Sequence, residues 1–163
     1  MKYCSKCGAE IMEEAVICPK CGCAVEKAQA PVVQLSTKRS LLKFILLSII
    51  TCGIYGLVVM SGVSTDINTI ASRYDGKKTM HYCLVVFIFS WLTAGIVPLV
   101  WSHKISARIG AELQRRGIDY PFGAGTFWGW GILGSAIVVG PFIYTHKLLK
   151  SMNLLSEDFN QKG

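Results

Sequence analysis

Four of the chain's seven cysteines have the spacing of a metal site: Cys4-x-x-Cys7, then ten residues, then Cys18-x-x-Cys21. A two-residue gap lets both thiolates of a pair face one ion, and the glycine after each pair (Gly8, Gly22) frees the backbone to turn away from it. Zn²⁺ accepts four thiolates in a closed tetrahedral structural site. Residues 1–26 are too few to bury a useful core, so metal binding is expected to supply most of their folding free energy. A disulfide framework fits poorly, because no apolar signal segment precedes the cysteines, and iron is the less favoured metal. The reading is a zinc ribbon over residues 1–26, with Cys4, Cys7, Cys18 and Cys21 holding one structural Zn²⁺ on the cytosolic side. Cys23 is a spare thiol, and Cys52 and Cys83 are packing residues.

No other constellation points to catalysis, and the chain is not expected to be an enzyme. His81, His103 and His146 stand at the edges of apolar runs, where anchoring is the simpler role. The ribbon carries Lys2, Lys6 and Lys20 against Glu10, Glu13, Glu14 and Glu26. With four thiolates on one Zn²⁺ its net charge is about −3. Nucleic-acid binding draws its affinity from neutralised phosphates, so that partner is not expected. A protein partner, bound through the ribbon, is.

The remainder of the chain must position this module. Mean hydropathy is +0.43, and no Asp, Glu, Lys or Arg occurs between Lys43 and Asp66, between Lys78 and Lys104, or between Asp119 and Lys147. Within these runs, residues 44–63, 82–101 and 127–145 match the roughly 20 apolar residues that cross a hydrocarbon core as helix. We therefore expect an all-α integral membrane domain over residues 41–160 in the cell membrane, joined to the ribbon by a linker at 27–40 that contains Pro31.

The runs also repeat with a period of 42 to 43 residues. Gly56, Pro98 and Pro141 share one register, His103-Lys104 coincides with His146-Lys147, and Asn68 with Asn153. Each repeat continues into a helical stripe: Val63, Ile67, Ile70 and Tyr74; Ile105, Ile109 and Leu113; Leu148, Met152, Leu155 and Phe159. These stripes suit a headgroup boundary or a protein core equally well. Gly53, Gly56, Gly95, Pro98, Gly140 and Pro141 are the candidate turn positions. Two topologies follow: three kinked spans, the first expectation, or three hairpins dipping in from one face. The flanking basic residues divide seven to six between the two sides of three spans, almost without bias. Lys38, Arg39, Lys43, Lys77, Lys78, Lys104, Arg108 and Lys147 are the candidate contacts to anionic headgroups of the bilayer. Trp91, Trp101, Trp128 and Trp130 are partly interfacial, and Gly129, Gly131, Gly134 and Gly140 permit close helix packing.

The cysteine pairs resemble a short zinc-ribbon family found at the N-termini of many bacterial proteins. Ile49–Leu57 (I-I-T-C-G-I-Y-G-L), followed by Asp66-Ile67-Asn68, resembles a bacterial membrane-protein family described only as a domain of unknown function, often preceded by a zinc ribbon. Val58-Val59-Met60 departs from that family, which often has aromatics there. The resemblance implies the architecture and carries no catalytic residues. The functional expectation is a non-enzymatic membrane scaffold or adaptor. A zinc- or redox-responsive sensor is the alternative, and a small transporter component the third reading.

Overall fold

A computed structural model describes residues 2–4, 6–12, 18–23 and 33–163. The chain divides into two compact units, Met1–Val33 and Gln34–Gly163. In the first, β1 (Lys2–Tyr3) pairs antiparallel with β2 (Glu10–Ile11), Lys2 opposite Ile11 and Tyr3 opposite Glu10. Residues 27–32 of the expected linker, Pro31 among them, lie outside the described residues.

The second unit contains six helical segments among the described residues. They are α1 (Leu41–Ile50), α2 (Ile54–Asp75), α3 (residues 82–92, π-helical at Val85–Phe89), α4 (Ile96–Arg115), α5 (residues 124–137, π-helical at Phe127–Ile132) and α6 (Gly140–Lys162). They form three hairpins, α1–α2, α3–α4 and α5–α6, each with a short first arm and a long second arm. Cross-helix contacts advance in step along α2, α4 and α6. Asn68 and Tyr74 meet Arg108 and Arg115, and Ser106 and Arg116 meet Tyr144 and Asp158. The three long arms are therefore parallel, with all three hairpin tips at one end and all three helix C-termini at the other.

The three stripes read from the sequence meet along this axis. Val63, Ile67, Ile70, Ile105, Ile109, Met152 and Leu155 are fully buried, and Leu113, Leu148 and Phe159 join the same core. The stripes are thus a protein core rather than a headgroup face. Tyr74 is the exception: it is exposed, with the Arg115 guanidinium 3.6 Å above its ring. Trp101 is also internal. It packs on Tyr82 and donates from Nε1 to the Met80 carbonyl at 2.8 Å, so it is not a belt residue.

The three kinked spans of the first expectation do not form. Each apolar run is broken by a turn, and among the described residues no helix is long and apolar enough to cross a membrane. At the first tip Cys52 and Gly53 have φ of 50° and 91°; at the second, Ala94 and Gly95 have 47° and 86°. Two successive left-handed residues end a right-handed helix, and glycine takes the second position without a Cβ penalty. The Gly53 N–H reaches the Ser48 carbonyl at 2.7 Å, and the Gly95 N–H reaches that of Ser90 at 3.0 Å. Gly56 and Pro98 stand in the first turn of α2 and α4, where proline's missing N–H costs no helical bond. The third tip differs. Val138 takes φ 59°, and Gly140-Pro141 open α6. A Cβ on Gly140 would lie 2.3 Å from the Gly134 backbone, so these two glycines let the arms touch. A Cβ on Gly129 would meet nothing within 4 Å, so that glycine has no packing role.

The hairpins are linked into a ring by a second device. Asn68 on α2 accepts from the Thr79 N–H at 2.7 Å and donates to the Thr79 carbonyl at 2.8 Å, just before α3. Asn153 on α6 does the same to Arg39, at 3.1 and 2.8 Å, just before α1. At the corresponding register of α4 stands Gly110, where a Cβ would lie 2.5 Å from the Phe122 carbonyl oxygen, just before α5. Each long arm thus grips the backbone that leads into the next hairpin, twice through an asparagine and once by direct approach. Asn160 repeats the clamp on Leu35, with 2.8 Å bonds to its N–H and carbonyl. Residues 34–40, expected as tether, are packed onto α6.

Candidate functional site

The metal centre is built from two matching turns. The Cys4 N–H donates to the Ala9 carbonyl and the Gly8 N–H to the Cys4 carbonyl, both at 2.9 Å. In the second turn the Cys18 N–H donates to the Cys23 carbonyl and the Gly22 N–H to the Cys18 carbonyl, again at 2.9 Å. Gly8 and Gly22 have φ of 67° and 68°, the left-handed geometry that carries the chain past the metal.

These turns bring four sulfurs together. Cys4 Sγ lies 3.7 Å from Cys21 Sγ, Cys7 Sγ lies 3.7 Å from Cys18 Sγ, and all four fall within 4.8 Å of one another. With Zn–S near 2.3 Å, a regular tetrahedron has S···S edges of about 3.8 Å. Cys4 and Cys18 are buried, and Cys7 and Cys21 are exposed. The N–H groups of Lys6 and Cys7 bring the Cys4 thiol down to about 6. The N–H groups of Cys21 and Lys20 lower Cys18 in the same way. Cys21 is pushed up to about 12: the Cys23 N–H favours its thiolate, but Cys7, lost solvation, Cys18 and Cys4 together prevail. Cys7 is raised despite help from the Ala9 N–H. Two sulfurs ready to ionise beside two that resist is what like charges in contact produce, and a divalent cation removes the conflict. The cluster fits one structural Zn²⁺. Cys23 stays outside it, its Sγ turned to the Cys21 carbonyl at 3.7 Å.

The basic flanks fall into two groups. Lys38, Lys43, Lys77, Lys78 and Lys104 are exposed, and Lys147 is half-buried. Arg39 and Arg108, by contrast, are internal ties. Arg39 pairs with Asp66 and donates to the Ser36 carbonyl at 2.6 Å. Arg108 holds Asp75 through Nε and Nη2 at 2.7 and 3.0 Å, and reaches Asn68, Thr79, Ser72 and the Lys77 carbonyl. It fastens the 76–81 loop between α2 and α4. A third tie joins Arg116 to Glu112 at 2.8 Å and to Asp158 at 2.7 Å. The sequence signal for the long-range ties was faint, single charges far apart in the chain with only Asn68 and Asn153 marked by register, whereas Glu112 and Arg116 stand at the i,i+4 spacing of a helical pair.

At the opposite end, exposed apolar side chains gather on the hairpin tips. Ile49, Ile50 and Ile54 surround the first, Trp91, Leu92 and Ile96 the second, and Leu133, Ile137 and Val138 the third. Cys52 is exposed on the first tip. His103 accepts from the Trp128 indole N–H at 3.1 Å, while His81 and His146 are exposed.

Comparison with known families divides the chain as the structure does. Residues 3–25 match the zinc-ribbon domain, and residues 39–111 match a domain of unknown function, DUF4234. The second match runs through the first two hairpins and ends at Ala111 in α4, before the third hairpin. No curated protein and no solved structure matches the chain.

Proposed function

We propose that the chain is a non-enzymatic membrane scaffold whose three hairpins enter a bilayer from one face and whose zinc ribbon offers a cytosolic protein-docking module. The observation that carries this reading is the collection of large exposed apolar side chains on three tips at one end of a parallel bundle, with every charged side chain of the unit away from those tips. A soluble surface rarely tolerates so much contiguous apolar area. The dimensions agree with partial entry. The ten residues of α1 make about 15 Å of helix, half of a hydrocarbon core of about 30 Å. Hairpins also account for the even split of flanking charge, because all basic flanks then face one leaflet.

Two labels test this, in protein whose Cys23 and Cys83 are serine and whose ribbon is zinc-loaded. A nitroxide on Cys52 in lipid vesicles should be shielded from a water-soluble relaxing agent, and one on Lys78→Cys should be open to it. In intact cells Lys78→Cys should react with an impermeant thiol reagent only after permeabilisation. A water-accessible Cys52 in vesicles, or a Lys78→Cys that reacts from outside, would refute the arrangement.

A further inference from the structure

The ring of hairpins is not equally closed at its three seams. Eight residues before Thr51, Thr93 and Ser135, the hydroxyl residues that precede the three tips, the short arms carry Lys43, Val85 and Phe127. Val85 and Phe127 are buried; Lys43 is exposed. Two residues before the core stripe the long arms carry Ser61, His103 and His146. Ser61 meets Cys83 at 3.2 Å across the first seam and His103 meets Trp128 across the second, whereas His146 faces an opening. Two adjoining cavities of about 210 and 430 Å³ flank the start of α1, the larger where the third hairpin meets the first and the smaller between α1 and α2, both bordered by Arg39, Ser40 and Leu149. The larger is within the range of about 300–1,000 Å³ common for ligand pockets.

The walls of this groove differ along its length. Leu41, Leu42, Phe44 and Val58 are apolar, while Lys38, His146 and Lys150 bring polar and cationic groups to it. Among the described residues no acidic side chain borders either cavity, and the Arg39 charge is answered by Asp66. Ser40 gives α1 no side-chain cap, so the first N–H groups of that helix remain free to meet an anion. The groove thus pairs a cationic mouth with an apolar floor at the level where the basic flanks begin.

We infer that these adjoining cavities bind one anionic phospholipid, its phosphate at their shared border between Lys38 of the smaller and His146 of the larger, one acyl chain starting along Leu41 and Leu42 and the other along Phe44 and Val58. The inference rests on the membrane reading above and names the lipid class that such a site selects. Gly62 permits a clean test. It borders the smaller cavity, and a Cβ there would meet nothing within 4 Å, so Gly62→Leu can carry its side chain into that cavity and leaves every charge in place.

The full zinc-loaded chain is taken from mixed phosphatidylcholine and phosphatidylglycerol bilayers, and native mass spectrometry counts the lipid that each molecule retains. The wild type should keep one phosphatidylglycerol. Lys38→Ala with His146→Ala should lower its retention roughly fivefold or more, the effect of removing one surface cation. Gly62→Leu should lower it as well, while both variants still float with vesicles. Unchanged retention in both variants would overturn the inference, as would complete displacement of the lipid by inorganic phosphate, which would mark a free-anion site. A wild-type chain that does not float with vesicles at all would refute the membrane reading itself, and this inference with it.

Discussion

Asn153→Ala should release the segment that enters the first hairpin and leave the remaining ring closed. Asn153 makes two bonds to one residue, accepting from the Arg39 N–H and donating to the Arg39 carbonyl. Alanine removes both and returns nothing to either backbone group. A net contribution of about 1 kcal/mol per intramolecular hydrogen bond puts the local loss near 2 kcal/mol. Within α6 the change runs the other way, because alanine is the better helix former by about 0.5 kcal/mol. The global deficit should therefore be smaller, about 1 to 2 kcal/mol, and the local signature larger. Hydrogen exchange separates the two: 2 kcal/mol is a factor of about 30 in local opening, so the Arg39 amide should exchange about 30-fold faster. Amides in the middle of α6 should change little. Asn153→Asp is the sharper control, since its carboxylate still accepts from the Arg39 N–H but places a second oxygen against the Arg39 carbonyl. An Arg39 amide that exchanges at its wild-type rate in Asn153→Ala would show that the asparagine clamp does not hold this segment.

The ribbon and the helical unit should answer differently to metal removal. Chelation of zinc, or Cys18→Ser, should reduce bound zinc from one per chain to none and abolish the β1–β2 pairing, with the helical circular-dichroism signal retained; concerted loss of both would disprove independent folding. Acid should act through the helical ties. Burial pushes the Asp75 carboxyl up, but Arg108 and the Lys77 N–H hold it below the ordinary carboxylate range, and Glu112 and Asp158 are lowered likewise by their arginine and lysine partners. A carboxyl depressed in the folded state contributes stability that is full above its unfolded value of about 3.9 to 4.3 and is lost as pH falls through the folded value. Denaturant midpoints should therefore fall on acidification below about pH 4, and Arg108→Gln should flatten part of that fall. Equal acid slopes for the variant and the wild type would remove Arg108–Asp75 from the account.

The parts legible in the sequence were those fixed by local spacing. The C-x-x-C pairs marked the metal site because ligand geometry is decided within four residues of chain. The 3,4-spaced apolar residues marked the core stripes, although hydropathy alone did not say whether they faced lipid or one another. The register of Gly56 and Pro98 marked the breaks, but at three residues past the turn itself, because proline prefers the first turn of the new helix to the loop before it. Length gave the wrong first topology. Twenty apolar residues fit a span, and the feature that divides them is a pair of left-handed residues, Cys52-Gly53 or Ala94-Gly95, of which only the glycine announces itself. Arg39 and Arg108 read as free surface cations because their partners, Asp66 and Asp75, are brought to them by tertiary contact.

The tips show why a threonine stands before each of the first two turns. Breaking a helix exposes carbonyls at the end of one arm and N–H groups at the start of the next, and these need partners. Thr51 donates from Oγ1 to the Leu47 carbonyl at 2.6 Å and accepts on the same oxygen from the Tyr55 N–H at 2.9 Å. Thr93 does the same between Phe89 and Val97, at 2.6 and 3.2 Å. One hydroxyl thus answers a donor and an acceptor without bringing a charge or an amide to the tip. In the third hairpin Ser135 occupies the corresponding position, 42 residues after Thr93, and donates to the Gly131 carbonyl. The period lengthens to 43 residues only beyond it, so the extra residue is accommodated inside the tip, where Val138 takes its left-handed conformation. The repeat is thus held on both sides of the turn and yields at the turn, which places the strongest constraint on the polar groups and the weakest on the apolar side chains around them.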